Sequence, residues 1–100
     1  MDDVIKEMEK YAEEKGIPIM QKRGMNFLCK FIEKNNIKSI LEIGTAIGYS
    51  AINMALVNDD ITVVSIERDQ DRYIEAIKNI KKCNLVKSKL KLTKLHFFYN

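Results

Sequence analysis

The sequence predicts an α/β domain built on a parallel sheet, and three observations carry that expectation. Two short apolar runs, Ser39–Ile43 and residues 61–66, are too short for surface helices, and the second is rich in β-branched side chains. Segments of helical periodicity precede the first run, separate the two, and follow the second. An acid sits at the end of each run, Glu42 and Glu67, and the first leads into a turn with glycines at 44 and 48. Strands alternating with helices mean β-α-β units. Acids flanking a glycine turn point to a nucleoside ligand at the carboxyl edge of the sheet.

The elements follow in order. A first helix places Val4, Ile5, Met8, Tyr11 and Ala12 on one face, carries acids early and stops near Gly16. Gly16-Ile17-Pro18 breaks it. A second helix is expected over Lys22–Lys34, burying Met25, Leu28, Phe31 and Ile32, and ends at Asn35-Asn36. After the strand Ser39–Ile43, a helix starting near Tyr49 buries Ile52, Ala55 and Leu56 until Asn58-Asp59-Asp60 turns the chain. Beyond the second strand, Asp69 or a neighbour caps a helix over about 70–83, whose expected inner face is Tyr73, Ile74, Ile77 and Ile80. Leu90 and Leu92 alternate with lysines, which suits an exposed edge strand within 88–95. The chain then closes on the apolar His96-Phe97-Phe98-Tyr99-Asn100.

One hundred residues, 46% apolar and 31% charged, suit one modest globular core. The net charge of +3 invites a nucleic-acid reading, but Lys87, Lys89, Lys91 and Lys94 account for more than all of it, so the rest of the chain is slightly acidic. Lys78, Lys81, Lys82 and those tail lysines read either as an RNA-attracting stripe or as a solvated face. Cys29 and Cys83 form no CxxC and are expected as reduced, partly buried thiols. No secretory pattern opens the chain and no run approaches the ~20 apolar residues of a membrane span, so a cytoplasmic, non-membrane protein is expected. His96 has no partner acid or cysteine nearby in sequence and receives no role.

A dinucleotide site is the competing reading of the turn. Its fingerprint needs G-x-G-x-x-G, whereas here position 46 is alanine. An acid at Glu42, just before the first glycine, would also repel a pyrophosphate. It suits a ligand bearing an ammonium group.

The runs LEIGTAIGYSA and IERDQDRYIEAIKNIKK resemble the cation-dependent S-adenosylmethionine O-methyltransferases. That family includes catechol and caffeoyl-CoA enzymes and bacterial relatives that methylate 5-hydroxyuridine in tRNA. Ile17-Pro18-Ile19-Met20 and the first helix resemble the bacterial branch, and the resemblance runs from about Met8 to Leu85. It implies a Rossmann-like S-adenosylmethionine-dependent methyltransferase fold, present in part. The expected layout is one partial domain: N-terminal helices over 1–36, a cofactor-binding β-α-β-α unit over 37–85, and a divergent tail over 86–100. A doubly wound nucleotide fold uses two halves and this chain holds about one. A truncated sequence is therefore expected, through an artificial boundary, a frameshift or a degenerate gene.

The resemblance also assigns roles. Glu42 would accept hydrogen bonds from the ammonium group of S-adenosylmethionine. Gly44 and Gly48 would let backbone approach the methionine moiety, or merely serve a tight turn. Ser50, in the first turn of the following helix, would meet the cofactor carboxylate, act as a plain N-cap, or both. Glu67 would take the ribose hydroxyls, and Met20 would line the methionine end. Tyr49 would shape the pocket mouth or sit in the core. Mg2+ assists the full-length family by lowering the pKa of the acceptor hydroxyl, but no residue here matches its ligands, so neither a catalytic nor a metal residue is named. The acceptor would be tRNA hydroxyuridine or a small phenol, and a homo-oligomer is expected. The alternatives are a cofactor-binding remnant without turnover and an inactive interaction module.

Overall fold

The computed structural model describes residues 2–96. Helices α1 (Asp2–Lys15) and α2 (Lys22–Lys34) lead into strand β1 (Ser39–Ile43), helix α3 (Tyr49–Ala55), strand β2 (Thr62–Glu67), helix α4 (Gln70–Lys82) and strand β3 (Leu90–Lys94). The three strands form one parallel sheet in the order β1-β2-β3. The α/β class, the parallel pairing and the third strand are as the sequence predicts. The second strand sits one residue later than expected, so Glu67 is its last residue rather than the one after it.

Alternation along the strands sorts the sheet into two faces. Val63, Ser65 and Leu90 are buried, and α3 and α4 pack against β2 and β3. The opposite face carries Leu41 (66% exposed), Ile43 (72%) and Val64 (38%), with Leu41 and Val64 in register on neighbouring strands. Above the covered face, α1 packs on α3 and α4, and α2 packs on α3, enclosing a core that includes Met8, Met25, Ile32, Ile47, Ile52 and Ile61.

Two expected faces need correction. In α2, Met25 and Ile32 are buried but Phe31 is half exposed, as α2 packs mainly on the short helix α3. In α4, Ile74 is exposed, and the buried positions are Ala76, Asn79 and Ile80. The helix is rotated so that its small and polar residues face the β1–α3 turn. Asp69 caps α4 by accepting the Arg72 backbone N–H at 2.9 Å, and the expected thiols are free, Cys83 buried and Cys29 partly so. Local ties close the remaining turns: Lys89 Nζ donates to the carbonyls of Asn58 and Ile61, and Lys38 pairs with Asp60 at 2.7 Å. The apolar end of the tail, from Phe97 to Asn100, lies outside the described residues.

Candidate functional site

The site begins where β1 runs out. The backbone N–H groups of Gly44 and Thr45 both donate to the Ile66 carbonyl, at 2.8 and 3.2 Å, so the turn stays attached to β2 after the regular ladder ends. Gly44 has φ +92°, Ala46 +51° and Gly48 +94°. Three left-handed residues within five fold the chain tightly before α3, and glycine occupies two of them because it has no Cβ to strain. A Cβ added at Gly44 would meet nothing within 4 Å, so that residue faces open space. Gly48 faces inward, where a Cβ would stand 3.5 Å from Ala76 and from Ile52.

Glu42 projects from the covered side of β1 into a hydroxyl network. Ser50 donates to its Oε2, and Ser65 donates to its Oε1 at 2.6 Å. Since Ser65 spends its proton on Glu42, the 2.6 Å contact between Ser65 and Thr45 has Thr45 donating. Both hydroxyl residues are buried. Burial pushes the Glu42 carboxyl above the usual carboxylate range; the Ser50 and Ser65 hydrogen bonds oppose this and the Glu67 charge adds to it. The result is a poorly solvated anion that gains by meeting a cation.

Glu67 closes β2 almost fully buried, at 7% exposure. Its Oε1 accepts the Ala46 N–H at 2.7 Å, and its Oε2 accepts the Arg68 and Asp69 N–H groups at 3.0 and 2.9 Å. A carboxylate offers about four acceptor sites, so roughly one stays free. Glu67 thus braces the β1–α3 and β2–α4 turns against each other, and two hydroxyls could bind it together only by displacing a backbone donor.

Two adjoining grooves expose these groups. One, of about 390 Å³, is lined by Pro18, Met20, Glu42, Gly44, Ser50 and their neighbours. The other, of about 500 Å³, includes Pro18, Gly44, Ala46, Glu67, Arg68 and Arg72. Pro18, Gly44 and Ala46 belong to both, so they form one trough with an acid at each end. Of the residues singled out in the sequence, Met20, Glu42, Gly44 and Ser50 meet at one end and Glu67 stands at the other, while Gly48 lies behind the turn. Sequence reasoning missed Thr45 and Ser65, which tie Glu42 to the core, and Pro18 and Ala46, which join the grooves. Tyr49 is buried, lines the Glu42 groove, and donates to Glu9 Oε2 at 2.5 Å, fixing α1 to the start of α3. A larger cavity of about 600 Å³ opens between α1, α2 and α3, away from both acids. Among the described residues no group of three or more His, Cys, Asp or Glu could hold a metal ion, and no helix is long and apolar enough to cross a membrane.

Comparison with known proteins gives this geometry a context. The profile of a family described as O-methyltransferase matches residues 1–96. Among solved structures, a candidate caffeoyl-CoA O-methyltransferase from Staphylococcus aureus superposes with a TM-score of 0.87 at 33% identity, covering 92% of this chain and 44% of that one. An O-methyltransferase from Bacillus cereus, solved in complex with SAH (S-adenosylhomocysteine), gives 0.79 at 26% identity over 95% of this chain and 44% of that one. A candidate O-methyltransferase from Klebsiella pneumoniae gives 0.78 at 26% identity, over 92% and 43%. The chain spans under half the length of these three relatives.

Proposed function

This chain belongs to the O-methyltransferase family, and we propose that its trough binds S-adenosylmethionine as the methyl donor of an O-methyl transfer. The observation that carries the reading is the pair of carboxylates at neighbouring strand ends, with the glycine turn between them. Glu42, poorly solvated and facing the Ser50 end, meets the ammonium group. Ser50 and the backbone at Gly44 hold the methionine part, and Met20 covers it. Glu67 receives ribose hydroxyl from the other end. The grooves are of the size that small-ligand pockets show, roughly 300–1,000 Å³. The Bacillus cereus relative, with SAH bound, supports the same ligand class here.

S-Adenosylmethionine supplies an electrophilic methyl on a sulfonium. The residues of this chain bind and orient it: Glu42 supplies opposite charge, and the turn fixes the direction from which an acceptor can approach. The acceptor we infer is a hydroxyl, of 5-hydroxyuridine in tRNA or of a small phenol, and the caffeoyl-CoA description of the Staphylococcus aureus relative favours the phenol class. The described residues offer no ligand set for Mg2+, so no step here is routed through it. We place the chain in the cytoplasm and in a homo-oligomer, the latter because among the described residues β1 keeps one open edge beside an open apolar face. Calorimetric titration with SAH and, separately, with NAD tests the ligand class. Binding of SAH alone is expected, and binding of NAD alone would overturn the reading.

A further inference from the structure

Asn79 is a polar side chain in the last turn of α4, yet it is only 5% exposed. Its Nδ2 donates to the backbone carbonyl of Ile47 at 2.9 Å, across thirty-two residues of sequence. Ile47 is itself fully buried and lies between the left-handed residues Ala46 and Gly48. The turn is also held from the other direction, since the Ala46 N–H, two peptide groups earlier, donates to Glu67. One turn of α4 before Asn79, Ala76 packs 3.5 Å from where a Gly48 Cβ would stand. A buried donor is kept only where it is satisfied, and this one is satisfied by the turn that forms the trough.

We propose that Asn79 is a positioning residue for cofactor binding. It holds the turn at 44–48 in the conformation that presents Gly44 and Ala46 to the trough. Glu67 and Asn79 grip the Thr45–Ala46 and Ile47–Gly48 peptide groups, one through its N–H and the other through its carbonyl. The left-handed φ of Ala46 is costly for a residue with a Cβ unless its surroundings over-determine it. Releasing the Ile47 carbonyl lets the turn relax, and the wall shared by both grooves moves with it. The inference rests on the cofactor reading above for its functional half and on the geometry alone for its structural half.

Three variants of the full chain test it. Asn79→Leu keeps the volume roughly and removes the donor. Asn79→Asp keeps the shape but is a donor only while its carboxyl is protonated. Cys83→Ala, at the buried C-cap of the same helix and outside the lining of the trough, controls for general loss of stability. Amide hydrogen exchange in the free protein and SAH affinity by calorimetry are the two readouts. Asn79→Leu is expected to speed exchange at Ala46–Gly48 at least tenfold beyond the control and to weaken SAH binding by about tenfold, the scale of one buried hydrogen bond. Asn79→Asp is expected to behave like wild type at low pH and like Asn79→Leu at high pH, a reversal that a packing role would not produce. Unchanged turn exchange in Asn79→Leu, or faster exchange with undiminished SAH affinity, would overturn the proposal. If the wild-type chain binds no SAH, the cofactor reading fails and the positioning role fails with it; turn exchange then still judges whether the clamp itself exists.

Discussion

Ser65 and Glu42 stand opposite each other on adjacent parallel strands, and the buried Ser65 hydroxyl donates to Glu42 Oε1 at 2.6 Å. With Ser50 on the other oxygen, this fixes the carboxylate before any ligand arrives. Preorganisation of this kind spares the ligand the cost of ordering its partner.

The first prediction concerns pH. Burial holds the Glu42 carboxyl above its ordinary range, so over the interval between the ordinary and the raised value the folded chain binds more protons than the unfolded one. Stability from this group therefore falls as pH rises through that interval. Ligand binding runs the other way: an ammonium partner favours the anion, so affinity is expected to weaken as pH falls through the raised value, with proton release on binding in that region. Glu42→Gln should flatten both profiles. Calorimetry in two buffers of different ionisation enthalpy measures the released protons, and a wild-type profile as flat as that of Glu42→Gln would count against the assignment.

Glu67→Ala should cost on two accounts. Three backbone N–H groups lose their acceptor, which destabilises the chain by about 1–3 kcal/mol. Loss of the ribose contact weakens SAH binding by about 2 kcal/mol, roughly thirtyfold. Denaturant melts and calorimetry separate the two. A stable variant with normal affinity is the outcome that would contradict both roles.

Gly44→Ala and Gly16→Ala form a matched pair. Each glycine has a left-handed φ, +92° and +64°, and each faces open space, but only Gly44 lines the trough. Both substitutions should cost about 1–2 kcal/mol of stability through backbone strain. Only Gly44→Ala, whose methyl enters the trough, should reduce SAH affinity, and by tenfold or more. Equal affinity in the two variants would remove Gly44 from the site.

Association is the next expectation. Leu41 and Ile43 are exposed on the open face, and among the described residues β1 has a neighbour on one side only. Strand β3 lies beyond β2, so the tail as far as Lys94 does not shield the β1 edge. Light scattering should report a dimer or larger species, with Leu41→Lys shifting it toward monomer. A clean monomer near the 11.6 kDa chain mass would contradict this.

The order of elements and the acids at the strand ends were legible because periodicity and turn chemistry are local signals. What escaped was set by tertiary position. Ile74 is larger and more apolar than Asn79, so a hydrophobicity pattern turns α4 the wrong way; the helix instead buries the residues that fit against Gly48 and Ile47. The acid at Glu67 was visible, but its three backbone donors were not, because they depend on where Ala46 lands after the turn. Thr45 and Ser65 read as ordinary small polar residues until β1 and β2 come into register.

The proposed cofactor site is the trough between Glu42 and Glu67. Backbone amide chemical shifts, followed while the chain is titrated with SAH, locate the ligand. The largest shifts are expected at Gly44–Ser50 and at residues 67–69. No saturable shifts, or shifts gathered instead around the larger cavity between α1, α2 and α3, would contradict it.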